Sequence, residues 1–107
     1  MISGYSGHYS FNNALINLYA PNSIGVYYCG YIDLNNILIT HYVGRAMGDG
    51  VSIRNRLSAH LSDGWRDVAH FGYVLCSTQE EAESFEAAEI RRLQPKYNTQ
   101  GKIFPNN

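Results

Sequence analysis

The stretch IGVYYCGYIDLNNILITHYVG, residues 24–44, decides the fold. Ile24–Ile32 is crowded with β-branched and aromatic side chains, which suit a pleated, half-buried surface. Asp33–Asn36 has turn chemistry, because Asp and Asn side chains bond the backbone just ahead of them. ILITHYVG at 37–44 then reads as a second strand, and the two strands should pair as an antiparallel hairpin.

The reading extends outward from that hairpin. RAMGDG is a glycine-containing loop. VSIRNRLSAHL reads as a helix, with Ile53, Leu57 and Leu61 recurring at helical spacing. SDGW stops it, with Gly64 in the C-terminal cap region. VAHFGYVLC, residues 68–76, is a third strand. STQEEAESFEAAEIRRLQ is the clearest helix: Thr78 and Glu81 form a capping box, acids fill the first turns, and Arg91 and Arg92 complement the dipole at the end. Pro95 closes it, and KYNTQGKIFPNN reads as a polar tail.

Upstream, Met1–Ser10 is rich in Gly, Ser and Tyr and reads as a loose arm. SFNNALINLY reads as a short helix capped by Ser10, with Phe11, Ala14, Leu15 and Leu18 on one side, ending before Pro21. The order is (α)-β-β-α-β-α. This is an α/β fold with a small three-stranded, mostly antiparallel sheet flanked by helices. Residues 1–23 are an N-terminal arm with a short helix, 24–98 the domain proper and 99–107 a C-terminal tail.

The chain has 107 residues, 45% of them hydrophobic, which suits one compact core and excludes a disordered chain. Its formal net charge is −1, so the total selects no partner. The distribution is uneven. No Lys or Arg precedes Arg45, and five of the nine acids fall between Glu80 and Glu89. A near-neutral total can therefore carry a local basic face. Cys29 and Cys76 lie in strand-like stretches and read as buried free thiols. No stretch is apolar enough to span a membrane, and MISGYSGHYS lacks the features of a signal peptide. A cytoplasmic protein is expected, with a secreted toxin domain as the alternative.

Several residues ask for more than packing. HYVGRAMGDGVSIRNRLSAHL, residues 41–61, gathers Arg45, Arg54 and Arg56 between His41 and His60. Arg56 and His60 are one helical turn apart, so a planar phosphate-binding fork and a proton-exchanging imidazole share an edge. Glu86 and Glu89 project within the apolar stripe of Ala82, Phe85, Ile90 and Leu93. A carboxylate beside a core is costly unless it reaches water, is paired or binds a cation. Tyr27 and Tyr42 lie on the paired strands close to Gly25 and Gly44, and a glycine lets another group come near.

Together these features resemble the GIY-YIG nuclease superfamily. GVY (Gly25-Val26-Tyr27) and YVG (Tyr42-Val43-Gly44) are similar to its two signatures, with Val in place of Ile in each. RLSAH, from Arg56 to His60, resembles its Arg-x-x-x-His helix. EAAEIRRLQPKYN, from Glu86 to Asn98, resembles its C-terminal catalytic block, and the distance to Pro95 selects Glu86 over Glu89.

The resemblance implies a metal-dependent endonuclease that hydrolyses phosphodiesters, with Mg²⁺ or Mn²⁺ as the cofactor. DNA is the expected partner, and RNA is left open. Glu86 would hold the metal and Arg56 would stabilise the charged transition state. Tyr27 would help deprotonate the attacking water, a role that needs nearby positive charge to lower its pKa. His60 would assist or orient it, and Tyr42 would hydrogen-bond phosphate or water. Arg45 and Arg54 would contact phosphate, and Asn98 would contact nucleic acid and position the metal side. The alternative is a catalytically silent nucleic-acid-binding module of the same fold.

Overall fold

The computed structural model describes residues 1–48 and 50–99. Its hairpin is the expected one. β2 (Gly25–Ile32) and β3 (Leu38–Ala46) pair antiparallel. In the turn, Asp33 accepts hydrogen bonds from the Asn35 and Ile37 amides through its side chain, while Asn36 takes the left-handed conformation at φ 61°. β3 runs two residues beyond the sequence boundary, because Arg45 and Ala46 still pair with Val26 and Gly25. A bulge falls between Cys29/Tyr42 and Gly30/Thr40, leaving His41 as the extra residue.

The sheet has four strands, which corrects the expected three. β1 (Ser6–Ser10) pairs with β4 (His70–Leu75), and the antiparallel order is β1-β4-β2-β3. The loose-arm reading of Met1–Ser10 fails at this strand. SGHYS carries no β-branched residue, and tertiary packing holds it: Tyr9 stacks on Tyr19 and leans on Phe71. α1 (Asn13–Tyr19) is capped by Asn12 and not Ser10. Its buried face centres on Ile16, with Phe11 and Leu15 packed partly against the core, and Leu18 is exposed.

α2 (Ile53–His60) begins at a capping box of Ser52 and Asn55 and continues into a 3-10 turn at Leu61–Asp63, which Gly64 ends at φ 72°. α3 (Gln79–Leu93) has Thr78 as N-cap, as expected. The tail is not wholly irregular. Pro95 starts a last turn, α4 (Lys96–Thr99), consistent with the tolerance of proline at a helix start. The tail at 100–107 lies outside the described residues.

Helices cover both faces of the sheet. Tyr27, Cys29, Phe71, Ile16, Ile53 and Leu57 form one core. Val26, Tyr28, Val43, Val74, Cys76 and Ala82 form the other, with Phe85, Ile90 and Leu93 packed on it. Both cysteines are buried and free. Among the described residues, no helix is long and apolar enough to cross a membrane.

Candidate active site

The two glycine-tyrosine signatures interlock. Tyr27 pairs directly with Gly44 across the hairpin, and its ring lies over that glycine. A Cβ at Gly44 would collide with the Tyr27 ring and hydroxyl. Gly44 is thus the floor on which Tyr27 rests. Gly25 is equally constrained, since a side chain there would meet the Val74 carbonyl.

Tyr27 is completely buried, and its hydroxyl lies 2.9 Å from His60 Nε2. His60 is the last residue of α2, so the following 3-10 turn brings Asp63 back to it. Asp63 Oδ2 is 2.7 Å from His60 Nδ1. A carboxylate only accepts, so Nδ1 donates to Asp63 and Nε2 is left to accept from the Tyr27 hydroxyl. Asp63 was not singled out in the sequence. Its signal is the spacing: an acid one turn after His60, just before a cap glycine.

Beside this chain opens a cleft of about 390 Å³, lined by Tyr42, Arg45, Met47, Val51, Arg56 and Glu86. Tyr42, and not Tyr27, forms part of its wall. Burial pushes the Tyr27 phenol far above its ordinary range, Tyr42 adds to the effect, and the Arg56 guanidinium opposes both. The positive charge that a tyrosine base needs is therefore present, but burial outweighs it. Tyr42 is also raised, chiefly by burial, with the Arg56 guanidinium opposing it. Glu86 is nearly enclosed, and Arg45 Nη1 donates to its Oε1 at 2.5 Å.

No protein-family model matches the chain, and no curated protein matches it.

An aromatic wall backs the site. His60 stacks on Trp65, which stacks in turn on Tyr97, and Tyr42 leans on both His60 and Trp65. Trp65, the single tryptophan, was also missed in the sequence. Next to it, Asp67 accepts from Lys96 and Tyr97 at 2.6 Å each, and these bonds hold its carboxyl at about 2. His41 faces Asp67 and the rings of Tyr31 and Tyr97, outside the cleft lining.

Tyr27, Tyr42, Arg45, Arg56, His60 and Glu86 therefore converge. Two expected nucleic-acid contacts do not. Arg54 Nε donates to the Ala20 carbonyl at 2.8 Å, tying α2 to the end of α1. Asn98 is buried, and its amide is closed on Val43: Oδ1 accepts from the Val43 N–H and Nδ2 donates to the Val43 carbonyl, both at 2.8 Å. That position corrects its assignment as a nucleic-acid contact. Asn98 holds the backbone between Tyr42 and Gly44 in place.

The two glutamates have different partners. Glu86 faces the cleft. Glu89, one helical turn further along α3, is buried and accepts from Tyr28 at 2.7 Å and from two nitrogens of Arg92. Its charge is fully used by structure.

Among the described residues, no three His, Cys, Asp or Glu side chains gather into a metal cage. Mg²⁺ commonly takes one or two protein carboxylates and completes its shell with waters and substrate phosphate. Glu86 at the cleft wall fits that pattern, provided a phosphate supplies the remaining ligands.

Proposed function

We propose that this chain is a divalent-metal-dependent endonuclease of the GIY-YIG type, which hydrolyses a phosphodiester of nucleic acid, expected to be DNA, in the cleft lined by Tyr42, Arg56 and Glu86. The observation that carries the reading is the hydrogen-bonded chain Asp63–His60–Tyr27, which ends beside Tyr42 at a cleft holding two guanidiniums and a carboxylate. A buried hydroxyl needs one partner. An imidazole oriented by a carboxylate makes that partner a proton acceptor.

The chain's own residues divide the work. Water in the cleft meets the Tyr42 hydroxyl. As water loses a proton to Tyr42, Tyr42 passes its own to Tyr27, and Tyr27 passes its own to His60 Nε2. The resulting imidazolium is balanced by Asp63. Neither phenol has to stand as a free phenolate, which suits two tyrosines whose burial disfavours the charged form. The planar Arg56 fork matches the non-bridging oxygens as charge builds on the phosphate. Mg²⁺ or Mn²⁺ held by Glu86 would supply charge neutralisation at the leaving oxygen.

The test is cleavage of supercoiled plasmid, with flap, single-stranded and RNA substrates in parallel, in Mg²⁺ against EDTA. Nicking or linearisation only with metal is expected. A second reading, a silent nucleic-acid-binding module of the same fold, is favoured by the Arg45 ion pair, which already neutralises Glu86. Duplex binding without cleavage under any metal would select it.

A further inference from the structure

We propose that Arg45 is an exchangeable counter-ion that couples the metal to the substrate: it occupies Glu86 in the resting protein and moves to a substrate phosphate when a divalent cation takes its place. The inference rests on the nuclease reading and adds a regulatory step to it.

Three features carry it. Arg45 Nη1 sits on Glu86 Oε1, where a cation would bind. The partners differ in freedom, since the Arg45 side chain is 38% exposed and that of Glu86 only 13%. Glu86 is thus the fixed member, while Arg45 has a long stem and open solvent to turn into. Finally, Arg56 shares the same cleft and feels Glu86.

Two guanidiniums around one carboxylate leave the resting cleft with a single excess positive charge. A divalent cation arriving alone must displace Arg45 and then sits between two guanidiniums, with only the single Glu86 carboxylate to balance it. A phosphate arriving alone competes with Glu86 for Arg45. When both arrive, every charge finds a partner: the cation on Glu86 and the phosphate on Arg45, Arg56 and the cation. Each ligand should therefore strengthen the other, by the same factor in both directions. An arginine suits this exchange because its fork binds carboxylate and phosphate in the same geometry.

The experiment uses the full chain, with Mn²⁺ binding measured by calorimetry. Affinity for a fluorescent phosphorothioate duplex, which resists cleavage, is measured with Mn²⁺ and with EDTA. Mn²⁺ should tighten duplex binding about 10-fold or more in the parent, within the usual span of coupling between sites. Arg45→Ala should bind Mn²⁺ about 10-fold more tightly without duplex, because its competitor is gone, and should lose most of the coupling. Glu86→Gln should lose Mn²⁺ binding and bind duplex in EDTA at least as tightly as the parent, since Arg45 is released. Arg45→Met, which keeps the aliphatic stem, replaces Arg45→Ala if the latter melts early. The exchange is overturned if removing Arg45 leaves Mn²⁺ affinity unchanged while Glu86→Gln abolishes it; the metal site then stands without the switch. If the parent and Glu86→Gln bind Mn²⁺ alike, the exchange and the nuclease reading fall together.

Discussion

Asn98→Ala tests whether the most deeply placed residue of the C-terminal block is a contact or a clamp. Among the described residues β3 is the last strand of the sheet, and the Val43 N–H and C=O face away from β2. The Asn98 amide fills that place as a missing peptide group would, with both bonds at 2.8 Å. Truncation leaves one buried donor and one buried acceptor without partners, at about 1–3 kcal/mol each. Water entering the vacated space would recover part of this, so a loss of about 2–4 kcal/mol is expected. For a domain of this size that is a fall of roughly 10–25 °C in Tm. Urea unfolding and thermal melts measure the loss, and amide exchange should speed up first at Val43. Asn98→Asp should be at least as damaging, because a carboxylate oxygen would face the Val43 carbonyl. The reasoning is refuted if Asn98→Ala unfolds within about 0.5 kcal/mol of the parent while nucleic-acid affinity collapses, since the side chain would then be a direct contact.

Tyr27→Phe keeps the ring over Gly44 and removes the relay. Single-turnover cleavage should fall roughly 10²–10⁴-fold, and combining it with His60→Ala should cost less than the product of the two losses. Parent-rate cleavage by a folded Tyr27→Phe protein would exclude the relay. Gly44→Ala should displace that ring and appear as lost stability as well as lost activity; an unchanged melting temperature would contradict the close packing. Glu89→Gln should weaken folding by about 1–3 kcal/mol near neutral pH without removing the cleft carboxylate. Arg92 holds the Glu89 carboxyl below its ordinary value. Its stabilisation is therefore complete above the unfolded pKa of about 4.3 and lost as pH falls through the folded one. The urea midpoint of Glu89→Gln should consequently drop less on acidification than the parent's, and parallel acid limbs would argue against the pair.

What could be read from the sequence was what neighbours in the chain determine. The hairpin follows from runs of β-branched and aromatic residues around an Asp/Asn turn, and α3 from its own cap and charge order. β1 was hidden because SGHYS has one strand-favouring residue, Tyr9, among Ser, Gly and His; β4 and the rings of Tyr19 and Phe71 supply the reason. The start of α1 slipped by two residues because Ser10 and Asn12 are both competent caps, and the face that packs on the sheet, centred on Ile16, is set by tertiary contacts. The convergence of Tyr27, Tyr42, Arg56, His60 and Glu86 was expected from a resemblance. The role of Asp63 was legible only as a spacing, an acid one turn after His60, while those of Trp65 and Asn98 depend on partners that the folded chain alone brings near. Asn98 is the clearest instance: a polar residue in a polar-looking tail has no local sign that it will be buried against Val43.

The edge position of β3 explains how one cleft draws on both layers of helices. Tyr42 and Gly44 turn toward the α2 side, where Tyr27 and His60 lie, and Arg45 turns toward α3. In an interior strand the next strand would separate those two sets. At the edge, Arg56 from α2 and Glu86 from α3 reach around the same border and line one cleft. An open edge also exposes unpaired backbone, which folded proteins must cover. Here α4 covers it at Val43, between Tyr42 and Gly44, through Asn98. The polar residue that closes the sheet is therefore also what fixes the cleft tyrosine and the glycine floor. Stability and activity should fail together at this edge, whereas at Glu89, one turn along α3 and bonded to Tyr28 and Arg92, stability alone should change.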